Sequence, residues 1–221
     1  SAAQENEFGS NALGELYLRG YGVEMDYQKA VELFQLAAGK GYSTAQYNLA
    51  ACFTMGMGVE EDMVQAIFWL EKAAAQGNLS AMTNLGGLYA SEINQTPHHE
   101  CSIYWLTEAV DRNDLLAMTV LAIRYYEAKG VDQDFVKSRQ WAKKAAEQGF
   151  TQAQYILGVL YANGLGVDLD YIRAHMWFDV AVDGGWSTNG TYDIKGYMGV
   201  DDVQTAKKLA EACIAKQFRD C

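Results

Sequence analysis

The sequence has a single proline, Pro97, and no apolar stretch of the roughly 20 residues that a membrane-spanning helix needs. It is also poor in basic residues: 17 Lys and Arg stand against 28 Asp and Glu, a formal net charge of −11. A chain of this charge repels phosphate backbones, and no Lys/Arg cluster offsets the repulsion. No secretory signal peptide is recognisable. The composition therefore predicts neither a nucleic-acid partner nor membrane insertion.

The short motifs that mark common catalytic sites are missing as well. No G-x-S-x-G, P-loop, H-E-x-x-H or S-x-x-K pattern occurs. His175, one of three histidines, lies in an apolar helical pattern and is expected to be a partly exposed helix residue rather than a general base. The sequence predicts no enzyme, no catalytic residue, no metal ligand and no cofactor.

What the sequence does contain is an internal repeat of 36 residues. Five units are predicted, at residues 7–42, 43–78, 79–114, 115–150 and 151–186. A degenerate repeat and a capping helix at 187–221 would complete a single domain over 1–221. Two aromatic columns recur in register and are predicted to form the repeat core: Tyr17, Phe53, Tyr89, Tyr125 and Tyr161, with Trp69, Trp105, Trp141 and Trp177.

Each unit divides into two predicted helices. In the first, Ala45, Leu49 and Phe53 fall on one helical face, and the Gly or Ala that follows the leucine lets the second helix approach closely. A G-x-G-V turn comes next, and then an aspartate that is placed to cap the second helix. These aspartates are Asp26, Asp62, Asp134 and Asp170. Because neither helix buries its apolar stripe alone, the predicted fold class is all-α, a right-handed α/α superhelix (solenoid) of stacked helix–turn–helix units.

The succession A-x-x-x-L-G-x-x-Y, G-x-G-V-x-x-D and A-x-x-W-x-x-x-A-A-x-x-G resembles the Sel-1-like repeat, a relative of the tetratricopeptide repeat. The resemblance covers most of the chain. It implies a non-catalytic protein–protein interaction scaffold or adaptor in a bacterial envelope, secretion or virulence context. Two alternatives stay open: an immunity or inhibitor protein that neutralises a secreted toxin enzyme, and a metal-dependent or β-lactam-acting enzyme.

The third unit departs from the repeat pattern. Residues 92–98 replace the G-x-G-V-x-x-D turn, and His98, His99, Glu100 and Cys101 follow one another there. All four side chains are of types that bind metals. Because adjacent residues point in different directions, we interpret the segment as a turn that has lost its glycines and its cap. A metal site and a partner-contacting loop remain the alternatives.

The four cysteines bear on the compartment. Cys52 falls in a core column and is expected to be a buried free thiol, whereas Cys101 falls in an exposed column. An unbroken helix would hold Cys213 and Cys221 about 12 Å apart, too far to bond, but a helix that ends near Lys216 lets the tail fold back. The resemblance implies that this pair is a disulfide. It would place the protein in the periplasm or outside the cell, with the cytoplasm as the alternative.

The opposite face of each first helix would line a concave groove and contact a protein or peptide partner. This face is poor in charge and rich in Tyr and Asn, whose rings and amides suit a partner's side chains and backbone. The alternative is that Tyr47 and Tyr155 pack against neighbouring repeats. The protein is expected to be a monomer. The predicted contact residues are Asn11, Tyr47, Asn48, Thr83, Asn84, Thr119, Ile123, Tyr126 and Tyr155.

Overall fold

The computed structural model describes residues 2–90, 98–187, 194–219 and 221, without the side chains of residues 2–6. Within these ranges the chain forms eleven α-helices and no strand, which confirms the predicted all-α helical-repeat solenoid. A short 3₁₀ helix at Lys195–Tyr197 precedes the last α-helix. The helices are α1 (Ala2–Arg19), α2 (Tyr27–Gly39), α3 (Ser43–Met55), α4 (Met63–Ala75), α5 (Leu79–Ala90), α6 (His99–Val110), α7 (Leu115–Glu127), α8 (Phe135–Ala146), α9 (Thr151–Asn163), α10 (Tyr171–Asp183) and α11 (Val200–Ala215).

Where the sequence predicts a single domain, the chain divides into two compact units, residues 1–109 (unit 1) and 110–221 (unit 2). In unit 1, α1 packs against α2 and α3 against α4. In unit 2, α7 packs against α8, α9 against α10, and α11 covers α10. None of the helices in the described parts of the chain is long and apolar enough to cross a bilayer.

The aspartates predicted to cap the second helices do so. Asp26 Oδ1 accepts a hydrogen bond from the backbone N–H of Lys29 at 3.0 Å, and Asp134 Oδ1 accepts one from Lys137 at 2.9 Å. Asp62 and Asp170 make the equivalent bonds. Each carboxylate satisfies an N–H group that the first helical turn leaves without a partner, so the aspartate sets where the second helix begins.

The small residue after each leucine allows the predicted close approach of two helices. A methyl group added to Gly14 would lie 2.7 Å from Phe34 Cε1, and one added to Gly86 would lie 2.5 Å from Leu106 Cγ. Phe34 and Leu106 are both 0% exposed. The missing side chain of the first helix is therefore the space that the central apolar residue of the second helix fills.

The aromatic columns correct the prediction of the core. Trp177 is 2% exposed, but the other eight rings of the two columns are only half-buried. Lysines cover several of these rings from the solvent side, as Lys29 Nζ does at 5.4 Å from the Tyr17 ring centroid. The centre of the core is instead filled mainly by alanine and leucine side chains, such as Ala45, Leu49 and Leu85, which are 0% exposed. The rings lie at the border of the core, where they are large enough to reach the solvent.

The C-terminal helix ends where the predicted disulfide needs it to end. After Ala215, Gln217 and Phe218 have φ values of 52° and 65°, which reverse the chain. Cys213 and Cys221 are bonded in the structure, with their Cα atoms 5.4 Å apart. Of the predicted degenerate repeat that follows residue 186, residues 188–193 lie outside the described residues.

Candidate partner-binding site

The predicted contact residues lie on first helices of the repeats, five in unit 1 and four in unit 2. Three of them are corrected, because Asn11 is 4% exposed, Thr83 is 5% exposed and Thr119 is 0% exposed. Thr83 and Thr119 share a repeat position with Tyr47 and Tyr155. A tyrosine ring is long enough to emerge from the helix contact at this position, whereas a threonine side chain ends inside it.

In unit 1 the polar side chains of this face are hydrogen-bonded to one another. Asn48 Nδ2 donates to Asn11 Oδ1 at 3.0 Å and to Glu15 Oε1 at 3.1 Å, while Asn11 Nδ2 donates to Glu15 Oε1 at 2.9 Å. Asn84 Nδ2 donates to the Tyr47 hydroxyl at 3.4 Å. Asn48 thus donates to the neighbouring first helix and Asn11 donates within its own helix. Both amides already have partners inside unit 1, contrary to the expectation that they are open to a peptide backbone.

In unit 2 the predicted contact residues other than the buried Thr119 lie along one open cleft. Ile123, Tyr126 and Tyr155 line one cleft of about 320 Å³, here called the α7–α9 cleft. Its walls are mostly apolar, and they come from α7, α9 and the segment after α10. The complete lining is Ile123, Tyr126, Glu127, Gln152, Tyr155, Ile156, Val159 and Trp186.

The repeat alignment explains why the cleft is apolar here. Ile123 and Val159 occupy the repeat position that holds Glu15, Ala51 and Gly87 in the first three units. A branched aliphatic residue at this position of α7 and again of α9 gives the cleft two facing apolar walls. The fold provides this position in every repeat. The aliphatic side chains at this position in the last two repeats make the cleft apolar.

Three aromatic rings contact one another at Tyr155, a residue of the cleft lining. The ring centroids of Tyr155 and Phe178 are 5.4 Å apart with an interplanar angle of 46°, and those of Tyr155 and Trp186 are 5.7 Å apart with an angle of 31°. Phe178 is 7% exposed, so it anchors Tyr155 on the core, while Trp186 stays half-buried. The sequence did not single out Trp186 as a contact residue. Its 36-residue phase with Phe150 assigns it only a place before a predicted first helix.

One carboxylate lies in the cleft lining. Glu127 Oε2 is 2.7 Å from Lys129 Nζ, and the two side chains are 38% and 58% exposed. An ion pair this exposed contributes only about 0–1 kcal/mol to stability. Glu127 can therefore exchange Lys129 for another cation at little cost.

The irregular turn of the third repeat unit lies only partly within the described residues. Residues 91–97 lie outside the described residues, but the backbone N–H of His98 donates to Tyr89 O at 2.8 Å. The capping aspartates make this same bond in the other units, as Asp62 N does to Phe53 O at 3.0 Å. His98 thus occupies the position of the missing cap. Among the described residues, no three side chains of His, Cys, Asp or Glu gather as metal ligands.

His175 differs from its prediction. It is 4% exposed, not partly exposed, and its Nδ1 lies 3.0 Å from Asp179 Oδ2 one helical turn later. Val31, at the same position of the first repeat, is likewise buried at 3% exposed. The free cysteines agree with expectation: Cys52 is buried and Cys101 is exposed.

Comparison with known proteins identifies the repeat. A Sel1 repeat family model matches residues 9–42, 43–78, 115–150 and 151–186, which is more than half of the chain. The predicted unit that it leaves out, 79–114, is the one that lacks the G-x-G-V turn. No curated protein matches the chain.

Two solved structures of bacterial proteins share the fold. A protective antigen of uropathogenic Escherichia coli strains, which displays an SLR fold, is 30% identical with a TM-score of 0.82 over 99% of this chain and 48% of the antigen. The chain thus spans about half the length of that antigen. A Sel1 repeat protein from Oxalobacter formigenes is 28% identical with a TM-score of 0.80 over 98% of this chain and 90% of that protein.

A third structure is more distant. An immunity protein from Pseudomonas aeruginosa is 18% identical, with a TM-score of 0.55 over 95% of this chain and 83% of that protein. At this identity the likeness concerns the fold alone. The family model and the repeat geometry together identify the chain: it belongs to the Sel1 repeat family.

Proposed function

We propose that this chain is a non-catalytic protein-binding scaffold that docks a segment of a partner protein in the α7–α9 cleft. The observation that carries the proposal is that three of the predicted contact residues, Ile123, Tyr126 and Tyr155, line one open apolar cleft. The predicted contact residues of unit 1 are buried or hydrogen-bonded to one another.

The chemistry of the lining supports a protein partner. Tyr and Trp are the residue types most enriched among those that dominate binding energy at protein interfaces. Tyr155 is held by its stack with Phe178 and Trp186, so it loses little side-chain freedom when a partner binds. A cleft with fixed aromatic walls and few polar groups suits a partner side chain inserted from an extended or helical segment.

A matched pair of variants tests the proposal. Ile123→Glu places a charge on the cleft wall, whereas Val136→Glu places the same charge on α8, at a side chain that is already 47% exposed. We expect wild type and Val136→Glu to capture the same protein from the source cells, and Ile123→Glu to lose it. Circular dichroism and the melting temperature establish that both variants are folded.

A second variant separates charge from shape. Tyr126→Ala removes one wall of the cleft without adding a charge, and it should weaken capture of the same protein. Capture that is equally strong in wild type, Ile123→Glu and Tyr126→Ala would place the partner elsewhere and sink this assignment of the site. The alternative role as an immunity protein is supported only by a similarity of fold, and it stays a prediction.

We further propose that the protein works in an oxidising compartment, the bacterial periplasm or the cell exterior. The pairing of Cys213 with Cys221 supports this, since disulfides persist in such compartments and are rare in the cytosol. Intact mass after alkylation of the protein in its source cells measures the state of the pair. Two alkylated thiols at Cys213 and Cys221 would favour the cytoplasm.

A further inference from the structure

The α7–α9 cleft combines three kinds of surface. Ile123, Ile156 and Val159 give apolar walls, the rings of Tyr126, Tyr155 and Trp186 give aromatic faces, and Glu127 gives one negative charge. A long basic side chain matches all three. Its methylene stem packs on aliphatic groups, its cation is attracted to the face of an aromatic ring, and its charge pairs with a carboxylate.

The same unit already places its own cations over aromatic rings. Lys144 Nζ lies 4.3 Å from the ring centroid of Trp141, and Lys137 Nζ lies 5.2 Å from that of Tyr125. The guanidinium of Arg173 lies 5.9 Å from the ring centroid of Tyr161. The described residues that line the α7–α9 cleft include no Lys or Arg, and the cation that pairs with Glu127, Lys129, lies outside the lining.

We propose that the α7–α9 cleft recognises an arginine side chain of the partner protein. The stem of the arginine lies along Ile123 and Val159, and its guanidinium stacks on the aromatic faces and takes over Glu127 from Lys129. Arginine fits better than lysine, because its planar guanidinium stacks on rings and is weakly hydrated, whereas an ammonium is compact and strongly hydrated. The net charge of −11 attracts the basic segment in which such an arginine would lie.

This inference rests on the proposed docking function and adds the chemistry of the docked residue. A terminally blocked, Gly/Ser-based peptide with one central arginine is the probe, and the readout is an NMR titration of the full chain. The matched peptide carries citrulline, which keeps the shape and removes the charge, and a third carries leucine. We expect the citrulline peptide to bind about tenfold more weakly than the arginine peptide, because it loses a charge-assisted hydrogen bond. The preference should shrink as salt is added.

Two glutamine variants locate the effect. Glu127→Gln removes the carboxylate in the cleft and should bring the affinities of the arginine and citrulline peptides close together. Glu147→Gln is the matched control, because Glu147 also pairs with a lysine, Lys143, at 3.2 Å and lies outside the cleft lining. In that control the arginine preference should stay unchanged. The backbone amide NMR signals that shift when the arginine peptide is added should be those of residues in α7 and α9.

The outcomes distinguish this inference from the function on which it rests. If leucine binds as well as arginine or better, and Ile123→Glu still abolishes capture of the partner, the cleft is an apolar docking site and the arginine assignment is wrong. Failure of all three peptides to bind at millimolar concentration overturns the arginine assignment as well. Arginine binding that is undiminished in Tyr126→Ala places the basic side chain at another surface and also contradicts the proposal.

Discussion

Cys52 and Cys101 show at the scale of single residues how position decides the chemistry of a side chain. Cys52 is 0% exposed, and burial raises the pKa of its thiol to about 11, because the charged thiolate loses its hydration there. Cys101 is exposed on α6. Since the thiolate is the reactive form, only one of the two free thiols should be accessible to reagents in the folded protein.

We therefore predict that a thiol reagent at about pH 8, below the usual cysteine pKa of ~8.5, labels Cys101 in the native protein and leaves Cys52 unmodified. Labelling of Cys52 should follow only when denaturant unfolds unit 1. Mass spectrometry of the labelled protein and peptide mapping measure both sites. Labelling of Cys52 at the rate of Cys101 would show that the Cys52 column is not part of the core.

The capping aspartates make a prediction about pH. Backbone hydrogen bonds from Lys29 and Lys137 lower the pKa values of the Asp26 and Asp134 carboxyl groups, and the lysine side chains add to the effect. A lowered pKa means that the folded state favours the ionised form. The stabilisation is therefore fully present above the unfolded-state pKa of about 3.9, and it is lost as the pH falls through the folded-state value.

The double variant Asp26→Asn/Asp134→Asn should consequently melt below wild type at neutral pH, because asparagine caps a helix without the charge. The difference should shrink once the pH is below about 4. Thermal unfolding by circular dichroism across this range measures the effect. Asp132→Asn, in the turn before Asp134, is the control and should leave the melting temperature nearly unchanged. A difference that is as large in acid as at neutral pH would contradict the assignment.

At the scale of helices, the distance between the two members of a repeat depends on one small residue. Gly86 and Gly87 are neighbours in α5, yet they face different surroundings. A methyl group at Gly86 would lie 2.5 Å from Leu106 Cγ, and one at Gly87 would meet nothing within 4 Å. Both glycines lie inside a helix, so the contrast isolates packing from backbone conformation.

Gly86→Ala should destabilise unit 1 by about 1–3 kcal/mol, the usual effect of overpacking a tight core. Gly87→Ala should stabilise it by about 0.5–1 kcal/mol, since alanine has the higher helix propensity and a free surface here. Chemical denaturation of the two variants beside wild type gives both values. Equal effects of the two substitutions would show that α5 and α6 do not approach as described.

At the scale of the whole molecule, the C-terminal disulfide closes the last helix of unit 2. Phe218, in the reversed segment between the cysteines, packs against Gly149, where a methyl group would lie 3.0 Å from its ring. The bond thereby ties the chain end to the turn between α8 and α9. Closing a short loop of this kind stabilises a protein by about 2–3 kcal/mol in the chain-entropy description.

A reductant should therefore lower the melting temperature of wild type, and Cys221→Ser should melt at the same lower temperature without it. The variant itself should be insensitive to reductant, which serves as the internal control. Differential scanning calorimetry with and without reductant measures all four states. A wild type that is unaffected by reductant would show that the tail contributes nothing to the stability of unit 2.

Part of the candidate site could be read from the sequence. Ile123, Tyr126 and Tyr155 follow from their repeat phase, because spacing alone determines which side of a helix a residue occupies. Trp186 and Gln152 could not be found this way. They line the cleft because of where the fold places α9 and the segment after α10. Thr83 and Thr119 have the correct phase, but side-chain length decides whether a residue at that position reaches solvent.

The sequence by itself determined the repeat, the two helices of each unit, the aspartate caps and the all-α class, because these depend on spacing and on contacts between residues close in the chain. The tertiary structure alone decided which side chains are open to a partner. The exposure of a side chain depends on the distance between neighbouring helices. That distance depends on the packing of residues such as Gly86 and Leu106, which cannot be deduced from the spacing of residues in the sequence. For the same reason only the structure separated the hydrogen-bonded face of unit 1 from the open cleft of unit 2.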